Sequence, residues 1–291
     1  MQRLFHILAI LTSAIWGTTF ISSKLLLQEG LSPAAIMMLR FILAYVLMLP
    51  LVKREEWFCR SVKDELLMVL LGVSGGSLYF LLENTALVYT QASNVAIIIA
   101  ATPLLTMLTV NLMNKGVGAS RRLYGYSLMS LVGVALVVMN GNFILKLNPT
   151  GDILTFGAVI TWVIYSIIIT KVQDRYSSAM ITRKVFFYGM LTLLPYFAFE
   201  PWGVSWDMLA RPMVWGNIIY LGVLASLGCY LVWNIVIKRL GAVDATNYLY
   251  INPIVAMVTA HLLLGERITS LAMVGTVLIL AGVYLAERKA R

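Results

Sequence analysis

Ten runs of mostly apolar residues follow one another along this chain, and that pattern limits its fold more than any motif does. They cover about 4–26, 33–52, 66–88, 93–114, 120–141, 151–171, 182–201, 213–237, 243–264 and 269–287. A helix crossing a bilayer needs roughly 20 such residues. A chain in lipid must also satisfy its own backbone hydrogen bonds, which helices do within one segment. The joins carry turn or charge signals, such as GlyLeuSerPro at 30–33, LysArgGluGlu at 53–56 and AsnProThrGly at 148–151. Composition agrees, because only 12% of residues are charged and 60% are apolar. A soluble domain carries roughly 25% charged residues. The first run follows Arg3 as a signal peptide would, but it continues to about Leu27 and contains Thr12, Ser13, Thr18 and Thr19. It reads as a retained helix.

The formal charge of +9 comes from basic residues gathered in short joins. With the N-terminus placed in the cytoplasm, seventeen Lys and Arg fall inside and four (Lys24, Lys146, Arg211 and Arg267) fall outside. That asymmetry predicts an inner-membrane, multi-pass protein with both termini cytoplasmic. It explains the positive charge without nucleic acid, for which no soluble basic domain exists. Cys59 lies in a charged join and Cys229 in an apolar run, so neither a disulfide framework nor a metal site is expected.

The chain also repeats itself. At an offset of 150 residues Asn84 falls on Asn234, Ala92 on Ala242 and Pro103 on Pro253, with Leu71-Gly72-Val73 on Leu221-Gly222-Val223. Trp16 precedes Trp162 by 146, and Pro50 precedes Pro195 by 145. Each half, 1–146 and 147–291, then holds five helices, and an odd number starts the second half on the opposite face. The expected fold is an all-α membrane protein of ten transmembrane helices in two inverted five-helix repeats. Such repeats are typical of secondary transporters, with the site near the midplane between them. Duplication in a scaffold without transport is the bland alternative.

Short motifs add to this. AlaIleTrpGly at 14–17 precedes Lys24, Arg40-Phe41 follows Pro33, Ala92 and Asn94 precede Pro103, and Ala242 precedes Pro253 before LeuGlyGluArg at 264–267. In this order, across nearly the whole chain, they resemble the EamA-like ten-helix permeases of the drug/metabolite transporter superfamily. The resemblance implies export or import of amino acids, other small metabolites or toxic compounds. It does not name the solute.

The chemistry-bearing residues inside spans are few. Arg40 lies about seven residues into the second span, where a charge is costly and faces protein or water. It is expected either to meet an anionic group of a solute or to lock two helices together. Glu83, at similar depth in the third span, is the natural partner, with Lys24 as a second one for the acid. An unpaired Glu83 would suit a coupling proton. Asn84 and Asn234, equivalent in the repeats, fit either a polar solute or an interhelical hydrogen bond. Trp16, Tyr79, Trp162, Tyr165, Tyr230, Trp233, Tyr248 and Tyr250 concentrate on central helices, and Tyr248 shares a face with Asn252. They fit a solute-stacking lining as well as ordinary packing. Pro103 and Pro253 interrupt the fourth and ninth spans and are candidate hinges. His261 reads as interfacial.

No P-loop, HisGluXXHis or GlyXSerXGly occurs, so neither an ATP-driven pump nor a familiar hydrolase is expected. The expectation is a transporter, with a membrane-embedded enzyme or scaffold as the alternative. No catalytic residue, metal or cofactor is expected. The partners are a small-molecule substrate, membrane lipid, a coupling proton and, left open, a second copy as a homodimer. Helices one, three, four, six, eight and nine are expected to line the cavity.

Overall fold

The computed structural model describes residues 2–53, 57–90, 92–113, 121–139, 148–200, 202–264 and 268–290. The sequence features at Arg54, Lys115, Lys146, Arg267 and Arg291 lie outside the described residues. Among the described residues the regular elements are helical, with no strand, and they form ten rods. The first two are α1 (Gln2–Gln28) and α2 (Pro33–Met48). The third runs through α3 (Val62–Gly72), a π-helical stretch (Val73–Ser77) and α4 (Leu78–Tyr89). The fourth is α5 (Ala92–Ile99) with α6 (Thr102–Met113), and the fifth is α7 (Arg121–Met139). The sixth and seventh are α8 (Pro149–Ile168) and α9 (Ser178–Leu193). After a short α10 (Trp206–Leu209), the eighth joins α11 (Pro212–Ile219), a second π-helical stretch (Tyr220–Gly228) and α12 (Cys229–Leu240). The ninth joins α13 (Ala242–Asn247), a 3-10 turn (Tyr248–Ile251) and α14 (Asn252–Leu264), and the tenth is α15 (Ser270–Ala290).

These rods fall on the ten apolar runs. Five of them (Arg3–Gln28, Pro33–Leu51, Val62–Tyr89, Pro149–Lys171 and Pro212–Leu240) are long and apolar enough to cross a membrane by that measure alone. Lipid-facing and protein-facing stripes are distinct. On α8, Ile153, Phe156, Ile160 and Ile164 are exposed at helical spacing, while Thr155, Trp162 and Ser166 are buried. The protein is a multi-pass membrane protein.

Some edges differ from the sequence reading, and the caps explain why. The third rod begins at 62 rather than 66 because Ser61 Oγ accepts from the Asp64 amide at 3.2 Å. The seventh begins at 178 rather than 182 because Ser177 caps Met180 at 3.1 Å. Arg183 and Lys184, counted among the cytoplasmic charges, thus lie more than a turn inside this helix and are buried.

Packing repeats with the sequence. Rods two and eight pack together, and so do rods seven and three, the same pairing with the halves exchanged. Rod one packs on eight and nine as rod six packs on three and four. Rods two and seven pack on each other, as do five and ten, so each of these pairs straddles the pseudo-twofold axis. Close approach at the five–ten crossing requires glycine, since a Cβ on Gly133 would stand 2.6 Å from the Gly275 carbonyl oxygen, and one on Gly275 2.5 Å from that of Gly133. Rods two and seven both end in 3-10 turns around Pro50 and Pro195.

The two ends of the bundle are tied unequally. Where α3 and α9 begin, Asp64 pairs with Arg175 Nη1 at 2.5 Å and accepts from Tyr176 Oη at 2.7 Å. Beside it, Lys184 and Tyr188 both bond Glu65, and Arg183 Nη2 donates to the Trp57 carbonyl at 2.5 Å. At the opposite end, Arg211 pairs with Glu29 at 2.9 Å, with both side chains substantially exposed. Arg211 stands 150 residues after Ser61 and Glu29 stands 146 before Arg175, so the two ties occupy related positions with their charges exchanged.

Candidate functional site

A cavity lies where the two halves meet. Its walls come from rod one (Trp16, Thr19, Phe20), rod two (Arg40), rod three (Tyr79, Phe80, Glu83), rod four (Ile99, Thr102), rod six (Trp162), rod eight (Tyr230) and rod nine (Leu249, Asn252). All six rods expected from sequence contribute, and rod two joins them through Arg40. The cavity is small, about 30 Å³. That is room for about two water molecules, so any larger solute requires the walls to move.

Its aromatic lining is held by edge-to-face and tilted ring contacts. Trp16 stands 5.3 Å from Trp162, 5.8 Å from Tyr230 and 5.0 Å from Trp233, between ring centroids. Tyr79 stands 4.9 Å from Trp162. Hydrogen bonds aim two of these rings: Trp16 Nε1 donates to the Ala225 carbonyl at 2.9 Å, and Tyr230 Oη to the Gly75 carbonyl at 2.5 Å. Both acceptors lie in the π-helical stretches.

The charges face the cavity without touching each other. Arg40 donates Nε to Ser226 Oγ at 2.8 Å, and its guanidinium lies 4.3 Å from the Phe80 ring centroid. Among the described residues it forms no ion pair with Glu83. The expected Arg40–Glu83 lock is therefore corrected: the arginine is engaged by a hydroxyl and a ring. Glu83 has Tyr79 beside it and one oxygen, Oε2, without a hydrogen-bond partner. Among the described residues Lys24 forms no ion pair with it either, and its Nζ donates to the Leu87 carbonyl. Trp162 Nε1 and Asn252 Oδ1 are likewise buried and unpartnered. Buried polar groups are nearly always hydrogen-bonded, so three such atoms on residues lining one cavity single it out as the candidate site.

Six of the lining candidates singled out in sequence lie outside it: Asn84, Tyr165, Trp233, Asn234, Tyr248 and Tyr250. Asn84 donates to the Pro33 carbonyl at 3.3 Å, tying rod three to rod two. Tyr165 Oη donates to Asn234 Oδ1 at 2.5 Å and Asn234 Nδ2 to Thr182 Oγ1 at 2.9 Å, joining rods six, eight and seven. The two asparagines thus serve as interhelical ties. Tyr248 Oη meets His6 Nδ1 at 2.6 Å, nearer the start of rod one. Thr19, Phe20, Phe80, Ile99, Thr102 and Leu249 were missed, being apolar or weakly polar residues without a signal of their own. Ser226 was missed too, although a buried serine near an intramembrane arginine is a partner worth seeking.

Pro103 and Pro253 each follow a break in their rods. Residues 100–101 are non-helical between α5 and α6, and the 3-10 turn 248–251 separates α13 from α14. Cavity residues Thr102 and Asn252 stand beside these breaks. Farther along the same rods, a wider crevice of about 330 Å³ opens between Met113, Thr170 and Val243. Buried Thr106, Met107 and Thr246 occupy the rods between the two. Among the described residues no cluster of side chains could hold a metal ion.

The chain matches the EamA-like transporter family over residues 3–139 and 149–287, that is, twice. It is 28% identical over 292 residues to an uncharacterized transporter of Archaeoglobus fulgidus, covering 99% of both chains. It is 25% identical to a probable terminal-alkyne amino-acid exporter of Streptantibioticus cattleyicolor, covering 96% of this chain and 92% of that one. It is 24% identical to a probable amino-acid metabolite efflux pump of Salmonella typhimurium, covering 98% and 95%. A crystal structure 16% identical in sequence superimposes with a TM-score of 0.78, covering 100% of this chain and 99% of that one.

Proposed function

This chain belongs to the EamA-like transporter family, and from that premise we propose that it carries a small amino-acid-like or drug-like solute across the inner membrane by alternating access. The observation that carries the reading is the cavity between the halves, with Arg40, Glu83 and unpartnered polar atoms set among aromatic rings. Arg40 anchors a carboxylate or other anionic group. Trp16, Tyr79, Trp162 and Tyr230 stack on the apolar or cationic part of the solute. Glu83 Oε2 is the place for a coupling proton, and Asn252 Oδ1 accepts from the solute. The names of the two amino-acid relatives support this class of solute and the outward direction.

Both termini face the cytoplasm in this reading. The richer tie at Asp64 and Glu65 then closes the cytoplasmic end, and the lone Arg211–Glu29 pair closes the outer one. The crevice at Val243 is the start of the cytoplasmic path. Residues 1–146 and 147–291 act as the two units that rock, with Pro103 and Pro253 as hinges. Flux of radiolabelled amino acids in proteoliposomes, with and without an imposed pH gradient, tests the proposal. Uptake that follows the gradient and disappears in Arg40→Gln supports it. A protein that leaves every solute in such a panel untransported, or an Arg40→Gln variant that transports as wild type does, refutes it.

A further inference from the structure

The two π-helical stretches stand in repeat register. Gly75 and Ala225 are 150 residues apart, the same offset that pairs Pro103 with Pro253. The Leu78 amide reaches back to Val73 and the Cys229 amide to Leu224, five residues each, which widens the turn. Widened turns of this kind concentrate at functional sites. Here both feed one cavity, since Gly75 receives the Tyr230 hydroxyl and Ala225 receives the Trp16 indole. The second stretch adds a side chain. Ser226 Oγ, fully buried, accepts from Arg40 Nε at 2.8 Å. Its counterpart in the first stretch is Gly76, which has nothing to offer.

A guanidinium is a flat fork of five donors. Ser226 engages its Nε, and the Phe80 ring covers one face at 4.3 Å. These two contacts fix the plane of the group and leave the edge formed by its two terminal nitrogens for a guest. That edge matches the two oxygens of a carboxylate. We propose that Ser226 is a positioning residue that, through Arg40, makes the cavity select carboxylate-bearing solutes over their amine analogues. The inference rests on the reading of Arg40 as the anionic anchor.

Trp16 and Trp162 line the cavity, so tryptophan fluorescence of the purified full chain reports a guest. The probes are phenylacetate, which has the carboxylate, and phenethylamine, which lacks it. In wild type phenylacetate is expected to bind more tightly. Ser226→Ala should weaken phenylacetate by about tenfold, the loss of one hydrogen bond that orients a charged group, and change phenethylamine less than about twofold on the same scale. Ser226→Thr, which keeps the hydroxyl, should restore part of the preference. Equal weakening of both probes in Ser226→Ala marks a merely structural serine and overturns the proposal. So does an unchanged preference for phenylacetate. The parallel variant Arg40→Gln separates the two layers: if it leaves the preference intact, or if wild type shows none, the anchor reading itself fails. If it abolishes the preference while Ser226→Ala does not, only the positioning role fails.

Discussion

Trp16 offers the sharpest measure of how tightly the cavity wall is built. Its ring meets Trp162, Tyr230 and Trp233 at centroid distances of 5.3, 5.8 and 5.0 Å, and its Nε1 bonds the Ala225 carbonyl. In a membrane, burial against another helix gains little over burial in lipid tails, so the contacts themselves carry the energy. Three aromatic pairs at about 1 kcal/mol each, with about 0.6 kcal/mol for a hydrogen bond in a membrane bundle, give about 3–4 kcal/mol. The range for truncating a buried tryptophan to alanine, about 3–5 kcal/mol, agrees. Trp16→Phe keeps a ring in place but loses the hydrogen bond to the Ala225 carbonyl, which costs about 0.6 kcal/mol. Reversible unfolding in detergent or bicelles, followed by steric trapping of a biotinylated pair, reads both values. A Trp16→Ala protein within 1 kcal/mol of wild type would refute the packed-wall account and leave Trp16 as a loosely held solute contact. A Trp16→Phe loss as large as that of Trp16→Ala would place the energy in the indole N–H rather than in the rings.

Burial and the neighbouring Glu65 push the Cys59 thiol up to about 12 from its usual value of 9.0, so its thiolate is scarce at pH 8. It should react with maleimide roughly 1000-fold more slowly than an exposed cysteine, and its rate should climb as pH rises toward 12; a rate equal to that of an exposed thiol contradicts this. With Cys59 silent, cysteines introduced at 118–120 should label from the cytoplasm and those at 205–209 from outside; reversal of both inverts the proposed orientation. Lys184→Ala should destabilise the protein by about 1–3 kcal/mol, below the figure for a fully buried pair because the Glu65 side chain is 29% exposed. Arg211→Ala should cost at most about 1 kcal/mol, since its exposed pair is screened by water; equal costs in the same unfolding assay would remove the asymmetry between the two ends. Pro103→Ala and Pro253→Ala should both slow flux and bias the accessibility of a cysteine at Ala96 toward opposite sides of the membrane; accessibility unchanged in both discards the hinges.

Much of the architecture was legible because lipid makes strong demands on a sequence. Each rod had to be apolar for about twenty residues, so ten runs mapped to ten rods. The repeat was visible because Asn84/Asn234 and Pro103/Pro253 are rare residue types in such runs. The packing of rod two on rod eight and rod seven on rod three returns the same repeat in space. Arg40 was legible for the same reason, since a charge inside a span must be accounted for. Which way a polar side chain points was not legible. Asn84 follows Glu83 by one residue, yet about 100° of helix rotation carries it from the cavity to the Pro33 carbonyl. Tyr165 follows Trp162 by three residues and binds Asn234 behind the lining. Only the packing of neighbouring rods decides such cases.

The π-helical stretches mark where sequence reading stopped, and they also show how duplication can produce an asymmetric site. ValSerGlyGlySer at 73–77 looks like weak helix former in a span, with nothing in it to announce a five-residue hydrogen bond. The matching stretch at 220–228 preserves the geometry but not the chemistry. Gly75 and Ala225 both offer carbonyls to side chains of the cavity wall, whereas of Gly76 and Ser226 only the serine has a hydroxyl to give. The other half of the Arg40 contact is equally unpaired, because the residue 145 positions on is Val185 rather than a second arginine. A common backbone therefore supplies two equivalent walls, and a few side-chain differences set a cationic group, Arg40, on one side of the cavity only. Twofold backbone symmetry suits a protein that exchanges the roles of its halves, while a guest with unlike ends needs walls with unlike ends. The placement of Arg40 with Ser226 against rod eight, and of Glu83 with Tyr79 on rod three, meets both requirements in one site.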